Sequence, residues 1–144
     1  MKVLFVCTGN TCRSPMAEGI MKDLSRAKGL GIEASSAGIL TMDGLEPSEN
    51  SVLAMEDIGL DISGHRARQL TQEILDESDL VLTMSRSHMD NILMNFQIDR
   101  SKLHTVISYA YGREGNIVDP YGMDYGMYRK TRDEIKGALE KIDR

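Results

Sequence analysis

The chain has 144 residues, 41% hydrophobic and 27% charged, which is the composition of one soluble globular domain and not of a disordered chain. Seventeen basic residues against 22 acidic residues give a net charge of -5, which argues against nucleic-acid binding and against an anionic membrane surface. No apolar run approaches the roughly 20 residues of a membrane span, and the N-terminal apolar run is too short for a signal peptide. We therefore expect a single monomeric domain over residues 1–144, located in the cytoplasm.

The hydrophobic pattern alternates between strands and helices along the chain. Strands are predicted at residues 2–7, an apolar run rich in β-branched residues, and at residues 32–37, 79–84 and 103–108. Helices are predicted at residues 14–29 and 47–59, as a short helix capped by Thr71, from the cap Ser85 to about residue 96, and from about residue 124 onward. Ser14 and Pro15 are typical of an N-cap and a first helical residue, and Gly29 is typical of a helix end.

This alternation predicts the fold class. Strands that alternate with helices form a parallel sheet covered on both faces, so we expect a three-layer α/β/α sandwich with a central four-stranded parallel sheet. Ligands bind to such sheets at the carboxyl ends of the strands, beside helix N-termini. The first such place in this chain is the loop that follows residue 7.

That loop carries a nucleophile and an arginine at the spacing that an anion site needs. It reads Cys-Thr-Gly-Asn-Thr-Cys-Arg-Ser-Pro from Cys7 onward, so its backbone amides can form a cup and Arg13 can grip two phosphate oxygens. We expect Gly9 to permit a turn that a side chain would obstruct. The positive field favours the thiolate form of Cys7, which could attack phosphorus and give a phosphocysteine that water then hydrolyses.

Three other interpretations fit the residues of this loop less well. A cysteine that ends a core strand is more often a small buried residue, but such a residue needs neither the arginine nor the helix start. A nucleotide-binding P-loop would require Gly-Lys-Ser or Gly-Lys-Thr, which is absent. A dinucleotide-binding loop would carry three glycines where this one has a single glycine.

The loop and the chain around it resemble the low-molecular-weight protein tyrosine phosphatase family over essentially the whole length. Supporting segments are Ser36-Ala37-Gly38, Asp79 to Met84, and Asp119-Pro120-Tyr121-Gly122. The resemblance implies that Cys7 is the nucleophile, Arg13 the phosphate clamp and Asp119 the general acid. It also implies that Ser14 hydrogen-bonds Cys7 and that Asn10 holds the strained loop. The phosphate-binding loop would comprise Cys7, Thr8, Gly9, Asn10, Thr11, Cys12, Arg13 and Ser14.

Several residues keep two interpretations. Asp119 in an Asp-Pro pair is by default a turn residue, although the leaving group requires a proton donor. Cys12 either lines the loop or is a redox partner that forms a reversible disulfide with Cys7, and we favour the redox role. The segment His65-Arg66-Ala67-Arg68 is more typical of solvated or ion-paired side chains than of an anion patch. The three scattered histidines predict no metal site.

The substrate is predicted from position 11. The family resembled here includes phosphotyrosine phosphatases, phosphoarginine phosphatases and arsenate reductases, and Thr11 resembles the protein-arginine phosphatase branch, where the pocket suits a guanidinium. The alternative is a tyrosine phosphatase. An arsenate reductase would need cysteines beyond Cys12, or external thiols, to relay the disulfide, and a phosphate-binding module without activity is hard to reconcile with an intact Cys7, Arg13 and Asp119. We expect phosphorylated proteins as partners, inorganic phosphate as product and no cofactor.

Overall fold

Four parallel strands, in the order β2-β1-β3-β4, form the centre of the computed structural model, which describes residues 1–142. The strands are β1 (Lys2–Cys7), β2 (Glu33–Gly38), β3 (Leu80–Thr83) and β4 (Leu103–Thr105). Strand β1 pairs with β2 on one side and with β3 on the other. The chain runs from β1 to β2 and later crosses back past β1 to β3, so the strand order reverses at β1 and the crevice beyond its carboxyl end is the expected ligand position of such a sheet.

Six α-helices within the described residues surround this sheet. They are α1 (Arg13–Lys28), α2 (Glu49–Glu56), α3 (Gln72–Glu77), α4 (Arg86–Asn95), α5 (Val106–Tyr111) and α6 (Tyr125–Ile142). Side chains of β1 alternate between two cores: Val3 and Phe5 pack with α1, α2, α5 and α6, whereas Leu4 and Val6 pack with α3 and α4. This arrangement confirms the predicted three-layer sandwich. Within residues 1–142, no helix combines the length and the apolar character required to cross a membrane.

The start of α1 differs from the prediction. The helix begins at Arg13, with Cys12 at the N-cap, and no side chain caps it, whereas Ser14 was expected to be the cap. Pro15 consequently lies inside the first turn, where its missing N–H is harmless because the first amides have no intrahelical partner. The helix end is as predicted, since Gly29 adopts a left-handed conformation there (φ 63°).

The fourth strand was predicted too long. Strand β4 ends at Thr105, and the apolar residues that follow it form the helix α5. The Thr105 hydroxyl accepts a hydrogen bond from the Ser108 amide and so caps α5. The apolar residues within 103–108 fit a buried strand as well as a buried helical turn, so the pattern did not separate the two.

The remaining boundaries shift by a few residues. Helix α2 is capped by the Ser48 side chain, which accepts from the Ser51 amide, so it begins after Pro47 and ends at Glu56, before Gly59. Thr71 and Ser85 cap α3 and α4 as predicted.

Candidate active site

The loop between β1 and α1 forms one side of a cavity of about 200 Å³ at the carboxyl end of the sheet. Every residue of the predicted phosphate-binding loop lines this cavity except Asn10 and Ser14, and both of these are buried behind it. Asp119 and Tyr121 complete the lining from the segment before α6. The fold thus brings Cys7, Arg13 and Asp119 to one small cavity although more than 100 residues separate the first from the last.

Cys7 lies at the end of β1 and is only 2% exposed. Its Sγ is 2.9 Å from the Ser14 hydroxyl, which also accepts a hydrogen bond of 2.8 Å from the Asn10 amide group. When Cys7 is a thiolate, the Ser14 hydroxyl hydrogen is therefore available to donate to the sulfur. This contact explains why Ser14 does not cap the helix: its hydroxyl faces the Cys7 sulfur instead.

Asn10 holds the loop in its curved shape. It is the one non-glycine residue with a positive φ (57°) within residues 1–142, a conformation that asparagine tolerates better than most residues. Its side-chain amide donates to the Ser14 and Ser36 hydroxyls, and its Oδ1 accepts from the Arg68 backbone amide at 3.0 Å. Its carbonyl oxygen is 2.9 Å from His65 Nε2. All of these bonds compensate the cost of the left-handed backbone.

The expectation for Gly9 was wrong. Its φ lies outside the left-handed region, and an added Cβ would meet only Thr11 Oγ1, at 3.6 Å, an ordinary contact. The glycine that the loop requires is Gly38, at the end of β2. A Cβ there would lie 2.8 Å from the Thr8 carbonyl oxygen and 3.1 Å from Asn10 Cβ, so a side chain would push the loop away from the sheet.

The Arg13 guanidinium uses only part of its hydrogen-bonding capacity within the described residues. Its Nη1 donates to the Ile117 carbonyl oxygen at 3.0 Å, and its Nη2 lies 3.5 Å from Asp119 Oδ2. Its Nε is buried and has no hydrogen-bond partner in the described part of the chain. An Nε–H beside a second N–H is the fork that can bind two oxygens of a phosphate, so the Arg13 guanidinium has the donors that an anion clamp requires.

Asp119, which contacts Arg13, is much more exposed than Arg13: its side chain is 51% exposed, against 7% for that of Arg13. Its second oxygen, Oδ1, accepts a hydrogen bond from the Tyr121 amide at 3.1 Å. Tyr121, which is 76% exposed, forms the outer wall of the cavity. The carboxyl group therefore lies at the cavity mouth, where a leaving group would depart.

The Cys12 thiol lies among hydroxyl groups. It donates to Ser48 Oγ at 3.5 Å and is 3.7 Å from the Tyr128 hydroxyl and 3.8 Å from Thr11 Oγ1. Burial and the contact with Cys12 raise the pKa of Tyr128 to about 12, so this side chain remains a neutral hydroxyl. Tyr128 belongs to the buried face of α6.

His65 and Arg68 contact residues that hold the loop after β1, which the sequence did not predict. Arg66 is exposed and lies 3.8 Å from Glu46, as expected of a solvated residue. His65 instead contacts the Asn10 carbonyl group, and Arg68 donates through its backbone to Asn10 and through Nε to the Ser36 carbonyl oxygen. The only signal in the sequence for these contacts was that Asn10 would need hydrogen-bond partners from a distant segment of the chain.

Metal ligands are not grouped in this site. Within residues 1–142, the histidine, cysteine, aspartate and glutamate side chains form no cluster of three or more that could hold a metal ion. The residues that line the cavity supply two thiols, a guanidinium, one carboxylate and the hydroxyl groups of Thr8, Thr11 and Tyr121.

Comparison with known proteins matches this constellation to one family. The model of the low molecular weight phosphotyrosine protein phosphatase family matches residues 2–143. The chain belongs to this family. A protein-arginine-phosphatase of Bacillus subtilis is 35% identical over 142 residues, which cover 99% of this chain and 94% of that relative. An arsenate reductase of Staphylococcus aureus is 37% identical over 140 residues, covering 97% and 94% of the two chains.

Solved structures of this phosphatase family share the fold closely. A C7S mutant of the arginine phosphatase YwlE, with a phosphorylated active-site serine, superposes with a TM-score of 0.96 at 34% identity and covers 99% of this chain and 93% of that one. A low molecular weight protein tyrosine phosphatase from T. tengcongensis has a TM-score of 0.95 at 44% identity, with 99% and 97% covered. The comparisons therefore include both arginine and tyrosine phosphatases.

Proposed function

We propose that this protein is a cysteine-dependent protein phosphatase that removes phosphate from phosphoarginine residues through a phosphocysteine intermediate. The observation that carries the proposal is that Cys7 lines the same cavity as Arg13, whose buried Nε has no hydrogen-bond partner in the described residues. A nucleophile and an anion clamp at that position serve phosphoryl transfer. The phosphorylated active-site serine of the YwlE mutant supports the same chemistry in a relative.

The first half of the reaction transfers the phosphoryl group to sulfur. The Cys7 thiolate attacks phosphorus, the S–P bond forms, and the P–N bond to the guanidinium breaks. Asp119, at the cavity mouth, donates its proton to the departing nitrogen. Arg13 and the amides at the start of α1 hold the phosphoryl oxygens throughout.

The second half restores the enzyme. Water attacks the phosphocysteine, and the Asp119 carboxylate accepts a proton from that water. The P–S bond breaks, inorganic phosphate leaves, and the sulfur departs as a thiolate that the Ser14 hydroxyl, 2.9 Å away, stabilises. Asp119 ends the cycle protonated again, because the proton that it gave to the leaving nitrogen is replaced by one from water.

Thr11 and Asp119 support a guanidinium substrate. Thr11 gives the cavity a short, polar wall that leaves room for a planar cation, and the protonated Asp119 carboxyl group can hydrogen-bond the nitrogen to which it then donates its proton. The 35% identical protein-arginine-phosphatase is consistent with this substrate. A tyrosine phosphatase is the second candidate, favoured by the exposed aromatic wall that Tyr121 adds to the cavity mouth. Arsenate reduction by an internal cysteine relay is disfavoured because the sequence has no cysteine after Cys12.

The direct test uses para-nitrophenyl phosphate, wild-type protein and Cys7→Ser. We expect turnover by the wild type, no turnover by Cys7→Ser, and phosphate or orthovanadate binding largely retained by that variant, since Arg13 and the loop amides remain. Ser101→Ala, whose hydroxyl bonds only to Asp99 on the surface, is the matched control and should turn over normally. More than a few per cent of wild-type activity in Cys7→Ser would exclude Cys7 as the nucleophile.

A further inference from the structure

His88, on the first turn of α4, is a buried histidine that the proposed mechanism does not use. It is 5% exposed, and both of its ring nitrogens have partners. Its Nε2 is 2.8 Å from Thr8 Oγ1, and its Nδ1 is 2.8 Å from Ser85 Oγ. These two short contacts, one of them to the residue that follows Cys7, indicate that His88 does more than pack in the core.

The sheet topology explains how α4 reaches the loop. Strands β1 and β3 are neighbours, with Val6 opposite Thr83, so their carboxyl ends lie side by side. The loop that carries Cys7 follows one strand and α4 follows the other. The Ser85 hydroxyl caps α4 by accepting a hydrogen bond from the His88 backbone amide. The histidine ring turns back so that its Nδ1 contacts the same hydroxyl. The ring is thereby fixed before it contacts Thr8.

The charge state of the ring suits this position. Burial, reinforced by the Arg13 guanidinium and opposed in part by Asp119, lowers the pKa of His88 to about 4. The ring is therefore neutral near pH 7, and a neutral imidazole has one donor and one acceptor nitrogen, which is enough for the two hydroxyls. A neutral side chain links Ser85 to Thr8 without placing a second cation beside Arg13.

Thr8 needs such a link more than its neighbours do. Asn10 and Ser14 are buried and held by several bonds, but Thr8 is exposed on the cavity wall. Its carbonyl oxygen accepts from the Leu40 amide at 3.0 Å, and its side chain is bonded to His88. Its backbone adjoins Cys7, so a shift of Thr8 would displace the first amide of the anion cup.

We propose that His88 is a positioning residue for the phosphate loop: it anchors the Thr8 side chain to the start of α4 and so keeps the cup in its anion-binding shape. The inference rests on the proposed function, because anion binding and turnover are its readouts. Its effect does not depend on the leaving group, since Thr8 adjoins the phosphoryl site and not the acid.

The test is a double-mutant cycle on Thr8→Val and His88→Leu, with orthovanadate affinity measured by calorimetry and kcat/KM measured on para-nitrophenyl phosphate. A single neutral hydrogen bond is worth about 0.5–1.5 kcal/mol, so each single variant should lose about 3- to 10-fold in both quantities. The double variant should lose no more than the worse single variant, because all three lack the same bond. His88→Gln, whose amide can reach Thr8, should stay within about threefold of wild type.

Controls separate this inference from a structural role and from the proposed function. His104→Leu removes a histidine that contacts the Ser101 carbonyl group far from the loop, and it should leave vanadate affinity unchanged. Multiplicative losses in the double variant, or wild-type affinity in His88→Leu, would overturn the positioning role. If His88→Leu does not fold, the comparison of Thr8→Val with His88→Gln decides: equal losses in both would overturn it. Absence of turnover in the wild type would instead refute the proposed function.

Discussion

The Arg13 guanidinium divides its hydrogen bonds between the protein and the cavity. Nη1 is committed to the Ile117 carbonyl group, whereas Nε is buried without a partner in the described residues. Arg13→Lys keeps a positive charge but removes the fork, and an ammonium group cannot serve both Ile117 and two phosphate oxygens. We expect kcat/KM on any phosphorylated substrate to fall at least about 100-fold, as for loss of a transition-state clamp. Steady-state kinetics measure it, and a loss below about 10-fold would contradict the clamp.

Asp119 should matter in proportion to the basicity of the leaving group. Asp119→Asn removes the proton donor but keeps the acceptor for the Tyr121 amide, so the local turn is preserved. Aryl phosphates with poor leaving groups should slow far more than those with good ones, which need little protonation. The measurement is kcat/KM across a leaving-group series. Equal losses along the series would make Asp119 a structural residue only.

Thr11 should tune the choice of substrate. Thr11→Ile adds apolar surface to the cavity wall and removes a hydroxyl, which should lower kcat/KM on phosphoarginine and raise it on phosphotyrosine. A change of this size in a pocket is worth roughly 1–3 kcal/mol, so the ratio should shift about 10- to 200-fold. The ratio is measured on the wild type and the variant in parallel. An unchanged ratio would remove Thr11 from substrate selection without affecting the cysteine mechanism.

At the scale of elements, the phosphate loop also carries the predicted redox pair. Hydrogen peroxide would oxidise the Cys7 thiolate to a sulfenic acid with release of hydroxide. The Cys12 thiolate would then attack that sulfur, forming the disulfide and releasing a second hydroxide. We expect inactivation that dithiothreitol reverses and a mass loss of two hydrogens. In Cys12→Ser, Cys7 should proceed to sulfinic acid and inactivation should become largely irreversible.

That redox prediction has a clear contrary outcome. Full recovery of Cys12→Ser under dithiothreitol, with no sulfinic acid detected by intact-mass analysis, would show that Cys12 does not protect Cys7. The hydroxyl groups of Ser48 and Tyr128 around the Cys12 sulfur would then have a packing role alone.

Elements with strong local signals were predictable from sequence, and elements decided by distant contacts were not. Gly29 and the caps Thr71 and Ser85 act through their own turns, so their boundaries followed from the residues. Ser14 carries an equally strong cap signal, yet its hydroxyl contacts Cys7 instead, because the anion site requires open amides at that helix start. Helix α5 was missed because its apolar run looks the same in a strand.

The same distinction applies to the candidate site. The spacing of Cys7 and Arg13 lies within one loop and could be recognised, and the family resemblance added Asp119. Apart from Ser14, the partners of Asn10 come from segments 26 to 58 residues away, and His88 is 80 residues from Thr8. No local pattern reports such contacts, so only the folded arrangement shows how the loop is held.

At the scale of the whole molecule, His88 links stability to pH. Its pKa is about 4 in the folded protein and near 6.5 when unfolded, so between these values the unfolded chain binds more protons. The stability that the neutral ring contributes is complete above about pH 6.5 and is lost as pH falls toward 4. The slope from one group cannot exceed about 1.4 kcal/mol per pH unit.

This linkage is measured by thermal unfolding from pH 7.5 to 4.5. Wild type should lose more of its melting temperature over this range than His88→Gln, which has no group that titrates at this position. Parallel curves for the two proteins would show that His88 does not titrate as its burial between Arg13 and Asp119 requires.

The claim that this phosphatase acts on phosphoarginine is tested most directly by one comparison. The wild-type kcat/KM is measured on two peptides of identical sequence that differ only in carrying phosphoarginine or phosphotyrosine, with Cys7→Ser as the blank. The account predicts higher kcat/KM on phosphoarginine and no turnover of either peptide by Cys7→Ser. Higher kcat/KM on phosphotyrosine would contradict the assignment of substrate, and turnover by Cys7→Ser would contradict the mechanism itself.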